Sequence, residues 1–189
     1  MKRRAFSYYL GTGIIIVSLL GFAFTFYPLI RVYLFPITHP AVVQDKGSEF
    51  SLVIPKINAV GLVKENVDPF NTEEYTVALK EGIAHAKGTY LPGEKGTVFL
   101  FAHSSGLPWE LTRYNTIFLR LGELEKNDSI QINYKGTTYE YKVRETKKVW
   151  PNEVNFLLET EKEQLILQTC TPIGTDLKRL LIFADPVKR

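Results

Sequence analysis

Between Arg4 and Arg31 the chain has no charged side chain, and the apolar run IIIVSLLGFAFTF within that interval is long enough, with its flanks, to cross a bilayer as one helix. Beyond it the pattern changes to short runs in which apolar and polar positions alternate. Residues 49–57 (EFSLVIPKI), 128–134, 138–150, 165–169 and 178–184 have this character, and 60–63 reads as a shorter piece of the same kind. Alternation with a period of two places every second side chain on one face and predicts half-buried strands. Residues 97–102 (TVFLFA) are apolar without alternation, which predicts a strand buried on both faces.

Turn chemistry divides these runs. Lys135-Gly136-Thr137 joins two of them as a hairpin, and Pro172, Gly174 and Asp176 lie in the segment between 165–169 and 178–184. Residues 83–89 (IAHAKGT), with Pro92-Gly93 and Lys95-Gly96, read as a strand remnant followed by turns. One helix is well signalled: Asn71 can cap it with Glu74 three residues on, Tyr75, Ala78 and Leu79 form an apolar stripe, and Gly82 supplies the stop. Asp68-Pro69-Phe70 reads as a loop leading to that cap. Residues 104–108 read as a polar loop, 109–121 as turn or short helix, and 154–158 as one helical turn. Seven or eight short strands against one firm helix predict a mainly β fold, a closed or nearly closed barrel with helical decoration.

The expected organisation is a basic tip and membrane helix over 1–34, a Pro-containing tether over 35–48, and a folded domain over 49–189. Lys2, Arg3 and Arg4 precede the apolar run while only Arg31 follows closely, so the positive-inside bias keeps the N-terminus cytoplasmic and exports the domain. Gly21-Phe22-Ala23 is a rival cleavage site for a signal peptide, but the apolar run continues past it to Ile30. No second apolar run follows Ala184. A net charge of +3 with acids and bases interspersed gives no nucleic-acid footprint.

Compartment bears on the chemistry. The chain has one cysteine, Cys170, where the 165–169 run ends. A lone cysteine is commonly a small, inert, buried hydrophobe, yet structural cysteines outside the cytoplasm usually come in pairs, which turns an unpaired one toward reactivity. Arg179, nine positions on, opens the next strand and offers a fixed cation. His103 ends the 97–102 strand, a location like that of Cys170. His85 lies among turn residues, where a surface or structurally hydrogen-bonded role competes, and His39 lies in the tether. His103 ranks first as a partner for the thiol, with His85 behind it. No metal-ligand spacing, repeat or low-complexity tract is present.

Taken together, the apolar start, Ile54-Pro55-Lys56-Ile57, Gly82-Ile83-Ala84-His85-Ala86-Lys87-Gly88-Thr89 with Pro92-Gly93, Ala102-His103-Ser104, Leu167-Gln168-Thr169-Cys170 and Arg179-Leu180-Leu181 resemble the sortases, cysteine transpeptidases of bacterial surfaces. Ile166 stands where threonine is common in that family. The resemblance covers about 50–184 and implies that Cys170 is the nucleophile, His103 the general acid and base, and Arg179 the cation that holds substrate and steadies the oxyanion. Thr169 is divided between packing and oxyanion support. The implied reaction cleaves a Leu-Pro-x-Thr-Gly-like sorting signal on a surface protein and passes the acyl group to an amine of the cell wall or of another protein. It needs no cofactor or metal; calcium, used by some sortases, is neither required nor excluded by these residues. Asp68-Pro69-Phe70 looks like the lid motif of pilus-building members, but it follows 54–57 instead of preceding it, which leans away from that class. Papain-like peptidases place cysteine before histidine, and an L,D-transpeptidase would carry a Ser-His-Gly-Cys-like run. The other reading is a catalytically silent, membrane-anchored barrel that binds without turnover.

Overall fold

The computed structural model describes residues 2–34, 50–104, 117–154, 161–172 and 175–187. The tether with His39, most of the 104–108 loop and of 109–121, and all but the start of the 154–158 turn fall outside these. The chain forms two compact units, 1–37 and 38–189. In the first, helix α1 (Lys2–Leu34) includes Tyr9–Tyr27, 19 residues of mean hydropathy 1.9, long and apolar enough to cross a membrane.

The second unit is a closed eight-stranded barrel. Its strands are β1 (Phe50–Ile54), β2 (Ala59–Val67), β3 (Ile83–Ala86), β4 (Thr97–Phe101), β5 (Ser129–Tyr134), β6 (Thr137–Val149), β7 (Gln164–Thr171) and β8 (Lys178–Pro186), with helix α2 (Thr72–Glu81) between β2 and β3. Around the barrel they run β1-β2-β3-β4-β7-β8-β6-β5, with β5 pairing back onto β1. The pairs β2/β3 and β4/β7 are parallel and the others antiparallel.

Two apolar layers explain why some strands read as continuous runs. Leu52, Ile54, Leu100, Ile130, Ile132, Leu165, Leu167 and Ile182 fill the interior. Val67, Ala84, Phe99, Phe101, Ile166, Leu181 and Phe183 lie on the outer face of β2, β3, β4, β7 and β8, where Ala78 and Leu79 of α2 pack on them. A strand buried on both faces loses the period-two signal, so β4 and the middle of β7 are apolar throughout. At ten residues α2 is too short to be stable alone, and its order depends on this burial and on its caps. Asn71 Oδ1 accepts from the Glu74 amide at 3.2 Å, and Glu74 Oε1 accepts from the Asp68 amide at 3.2 Å. A Cβ at Gly82 would meet the Leu62 carbonyl oxygen at 2.9 Å, so glycine ends the helix.

Three local expectations change. The strand expected over 49–57 stops at Ile54, because Pro55 has no amide for the ladder, and Pro55–Ile57 is a 3-10 turn. The short strand expected at 60–63 is the nine-residue β2; its alternation is broken by a register shift between Lys64 and Val67, where Asn66 has φ 56°. His85 lies in β3 and is fully buried, not among turns. The 135–137 hairpin is as expected, with Lys135 and Gly136 at φ 47° and 78°, the twist that suits a two-residue turn.

Candidate active site

β4, β7 and β8 lie side by side, and their registers bring the chemistry into one row. Phe101 pairs with Gln168 in the parallel β4/β7 ladder, and Cys170 pairs with Arg179 across β7/β8. His103 stands two residues beyond Phe101, as Cys170 stands two beyond Gln168, and the bond from the Ala102 amide to the Gln168 carbonyl at 3.1 Å carries the parallel pairing past the end of β4. Phe101, Ile166 and Leu181 belong to the outer cluster. Stepping by two from each puts His103, Cys170 and Arg179 on that same outer face, past the edge of α2. All three are half-buried.

Arg179 Nη1 donates to Cys170 Sγ at 3.4 Å and to the Asp176 carbonyl at 2.7 Å. The second bond fixes the guanidinium, so the first does not depend on a freely moving side chain. His103 makes no direct hydrogen bond to Cys170 among the described residues; its ring stands perpendicular to Tyr75 with centroids 6.3 Å apart. Burial pushes the Cys170 thiol up, opposed by Arg179, while Asp176 adds to the rise. Burial lowers the His103 imidazole. The neutral thiol and neutral imidazole therefore predominate at neutral pH, and the thiolate–imidazolium pair is the minor form.

Thr169 is buried, and its hydroxyl donates to the Ala102 carbonyl at 2.9 Å, tying β7 to the end of β4 beside His103. Alternation puts it on the interior side of β7, opposite Cys170. Lys178 places its ammonium 4.5 Å from the centre of the Trp150 ring.

His85 has a different setting. Its strand neighbours Ala84 and Ala86 belong to the outer cluster, while its own ring lies 6.1 Å from that of Phe50, a residue of the interior. Nδ1 accepts from the Asn66 amide at 3.4 Å and Nε2 lies 3.0 Å from the Tyr90 carbonyl. Those two partners select the neutral tautomer with the proton on Nε2. His85 is thus on the opposite side of the sheet from Cys170.

Tyr75 is the site residue that sequence reasoning assigned only to packing. Its ring stacks on Phe101 at 5.5 Å and 9° and meets His103 on the other side. Burial raises its phenol, the Cys170 charge adds to the rise and the Arg179 charge opposes it. The sole sequence signal was a hydroxyl on an otherwise aliphatic helical stripe. Among the described residues no group of three or more His, Cys, Asp or Glu side chains converges as a metal site would require.

The arrangement is that of a covalent acyl-transfer site: a thiol beside a fixed two-point cation, with an imidazole in the same row. Comparison with known proteins agrees. Residues 52–187 match the sortase domain family. Sortase D of Bacillus subtilis is 34% identical over 140 residues, covering 72% of this chain and 62% of its own length. Among solved structures, sortase A from Corynebacterium diphtheriae aligns at a TM-score of 0.63 and 28% identity over 75% of this chain and 61% of that one. Sortase C-1 from Actinomyces oris aligns at 0.62 and 29% over 74% and 73%. With its matching domain spanning nearly the whole barrel, this chain belongs to the sortase family.

Proposed function

We propose that this protein is a membrane-anchored, extracytoplasmic cysteine transpeptidase that cleaves a Leu-Pro-x-Thr-Gly-like sorting signal and joins the acyl fragment to an amine, attaching proteins to the cell surface. The observation that carries the proposal is the row His103, Cys170, Arg179 across three neighbouring strands, with the guanidinium on the sulfur. Residues 1–34 anchor the chain with the N-terminus inside, 35–48 form the tether, and 49–189 carry the catalytic barrel. The apolar length of α1 and the basic residues before it support that topology.

The roles follow from chemistry. In the minor ionised form, the Cys170 thiolate adds to the carbonyl of the threonine at the cleavage point, and the electrons of the C=O bond move onto oxygen. Arg179, already held by Asp176, donates to that oxyanion at little reorganisation cost. His103 as imidazolium gives its proton to the departing amine when the C–N bond breaks, leaving a thioester on Cys170 and a neutral imidazole. An incoming amine then attacks the thioester, the imidazole takes its proton, and Cys170 leaves as thiolate. Every proton is returned.

The test is a peptide assay with the soluble chain from about Gln44. A Leu-Pro-x-Thr-Gly peptide and a small amine acceptor should give the Thr-amide product and the free Gly fragment. Cys170→Ala should give neither, and His103→Ala should lose roughly a hundredfold or more of the rate. A wild-type chain that binds the peptides without product would make the barrel a binding module.

A further inference from the structure

We propose that Tyr75 is a positioning residue for the reaction: its ring, held flat on Phe101, is the wall that keeps the His103 imidazole in the row with Cys170. This rests on the reading above of His103 as the proton carrier.

The argument begins with what else could orient His103. A catalytic imidazole is usually aligned by a hydrogen bond from its second nitrogen. Among the described residues His103 has no such bond, and Cys170 does not hold it directly either. Its defined contact is the perpendicular ring of Tyr75 at 6.3 Å. Perpendicular aromatic pairs within about 7 Å are favoured by the quadrupoles of the two rings, so this contact prefers one imidazole orientation over a free rotor.

Tyr75 is suited to the task because it is itself fixed. The near-parallel stack on Phe101, at 9°, restrains the ring from below, and Phe101 is buried with a neighbour, Phe99, at 6.4 Å. The backbone of Tyr75 sits in the first turns of a helix whose cap is closed by Asn71 and Glu74. One turn on, Ala78 and Leu79 are buried in the same outer cluster. The chain of restraint runs from the sheet through Phe101 to Tyr75 and then to His103. An aliphatic side chain would fill the volume over Phe101 yet offer His103 no flat wall. The hydroxyl points elsewhere in function: the charges of Cys170 and Arg179 both act on it, so the ring and the hydroxyl have separable neighbours.

The test compares Tyr75→Phe, which keeps the ring, with Tyr75→Leu, which keeps most of the volume. Steady-state kinetics on the sorting peptide, melting temperature and the NMR titration of the His103 ring are measured for each. The expectation for Tyr75→Leu is a loss of roughly tenfold or more in kcat with KM little changed, since misplacing a reacting group acts on the chemical step. Its His103 ring resonances should also shift and broaden, while Tyr75→Phe stays near wild type in all of these. A Tyr75→Leu enzyme with wild-type kcat and unchanged His103 resonances would overturn the proposal. So would a Tyr75→Phe loss equal to that of Tyr75→Leu, which would move the role to the hydroxyl. If Tyr75→Leu melts below the assay temperature, Tyr75→Met serves in its place with the same expected and contrary results. The NMR readout needs no substrate: if wild-type enzyme transfers no acyl group, the functional reading falls while the His103 resonances still decide the positioning claim.

Discussion

Replacing Arg179 by lysine separates charge from geometry at the proposed oxyanion site. The arginine makes two contacts from one planar group, 3.4 Å to the Cys170 sulfur and 2.7 Å to the Asp176 carbonyl. A lysine ammonium on a flexible stem cannot reproduce that fork. If it follows the Asp176 carbonyl and stands about 6 Å from the sulfur, the attraction at an effective dielectric near 20 weakens by ~2 kcal/mol. At 1.36 kcal/mol per tenfold, that is roughly a thirtyfold loss of rate. Removing a positioned oxyanion donor outright costs about 2.7–4 kcal/mol, or roughly a hundredfold to a thousandfold. Arg179→Lys should therefore fold normally and lose between about thirtyfold and a thousandfold in acyl transfer. The matched control is Lys178→Ala, which gives up the contact with Trp150 but touches nothing in the row, and it should stay near wild type. Both variants are measured in the same peptide assay with melting temperatures alongside. An Arg179→Lys enzyme within a few-fold of wild type would refute the reasoning and leave Arg179 as a strand residue beside the nucleophile.

His85→Ala should destabilise the barrel by about 2–4 kcal/mol, because it opens a buried space and strands the Asn66 amide and the Tyr90 carbonyl. The folded fraction should still turn over substrate, which urea denaturation and activity per folded molecule would check. The His85 imidazole is lowered by burial from its ordinary 6.5, so as pH falls through about 6.5 the unfolded chain takes up the proton first and stability is lost. Since His103 is lowered in the same direction, the comparison of wild type with His85→Gln between pH 5 and 8 isolates the share due to His85, and equal slopes would refute it. Thr169→Val should lower stability by about 1–3 kcal/mol, since it leaves the Ala102 carbonyl without its buried donor. Thr169→Ser should restore stability, and a Thr169→Val variant that loses rate but not stability would return the hydroxyl to an oxyanion role.

The strands were legible where one face met water and the other the interior, as in β5 and β6, or where turn chemistry marked their ends, as at Lys135-Gly136. α2 was legible because its cap and stop use side chains and backbone with defined local roles. β2 was not, since a bulge at Asn66 shifts the side-chain alternation partway along. His85 was hidden for a different reason: Lys87, Gly88 and Thr89 directly after it carry turn signals, and nothing local reveals that β3 pairs in parallel with a strand twenty residues earlier. The ranking of the two histidines depended on strand ends alone, whereas the structure separates them by sheet face. Tyr75 shows the limit most clearly. Its stripe position announced burial, but its contact with His103 arises from the packing of a helix over a strand that follows it in the chain.

The central claim is that Cys170 forms a covalent acyl intermediate. Incubating the soluble chain with a Leu-Pro-x-Thr-Gly peptide in the absence of amine, quenching in acid and measuring intact mass tests it directly. The account predicts one adduct with the mass of the acyl fragment, localised to Cys170, released by hydroxylamine and absent from Cys170→Ala. An unmodified Cys170 across a library of such peptides under reducing conditions, with the peptides bound but uncleaved, would contradict it.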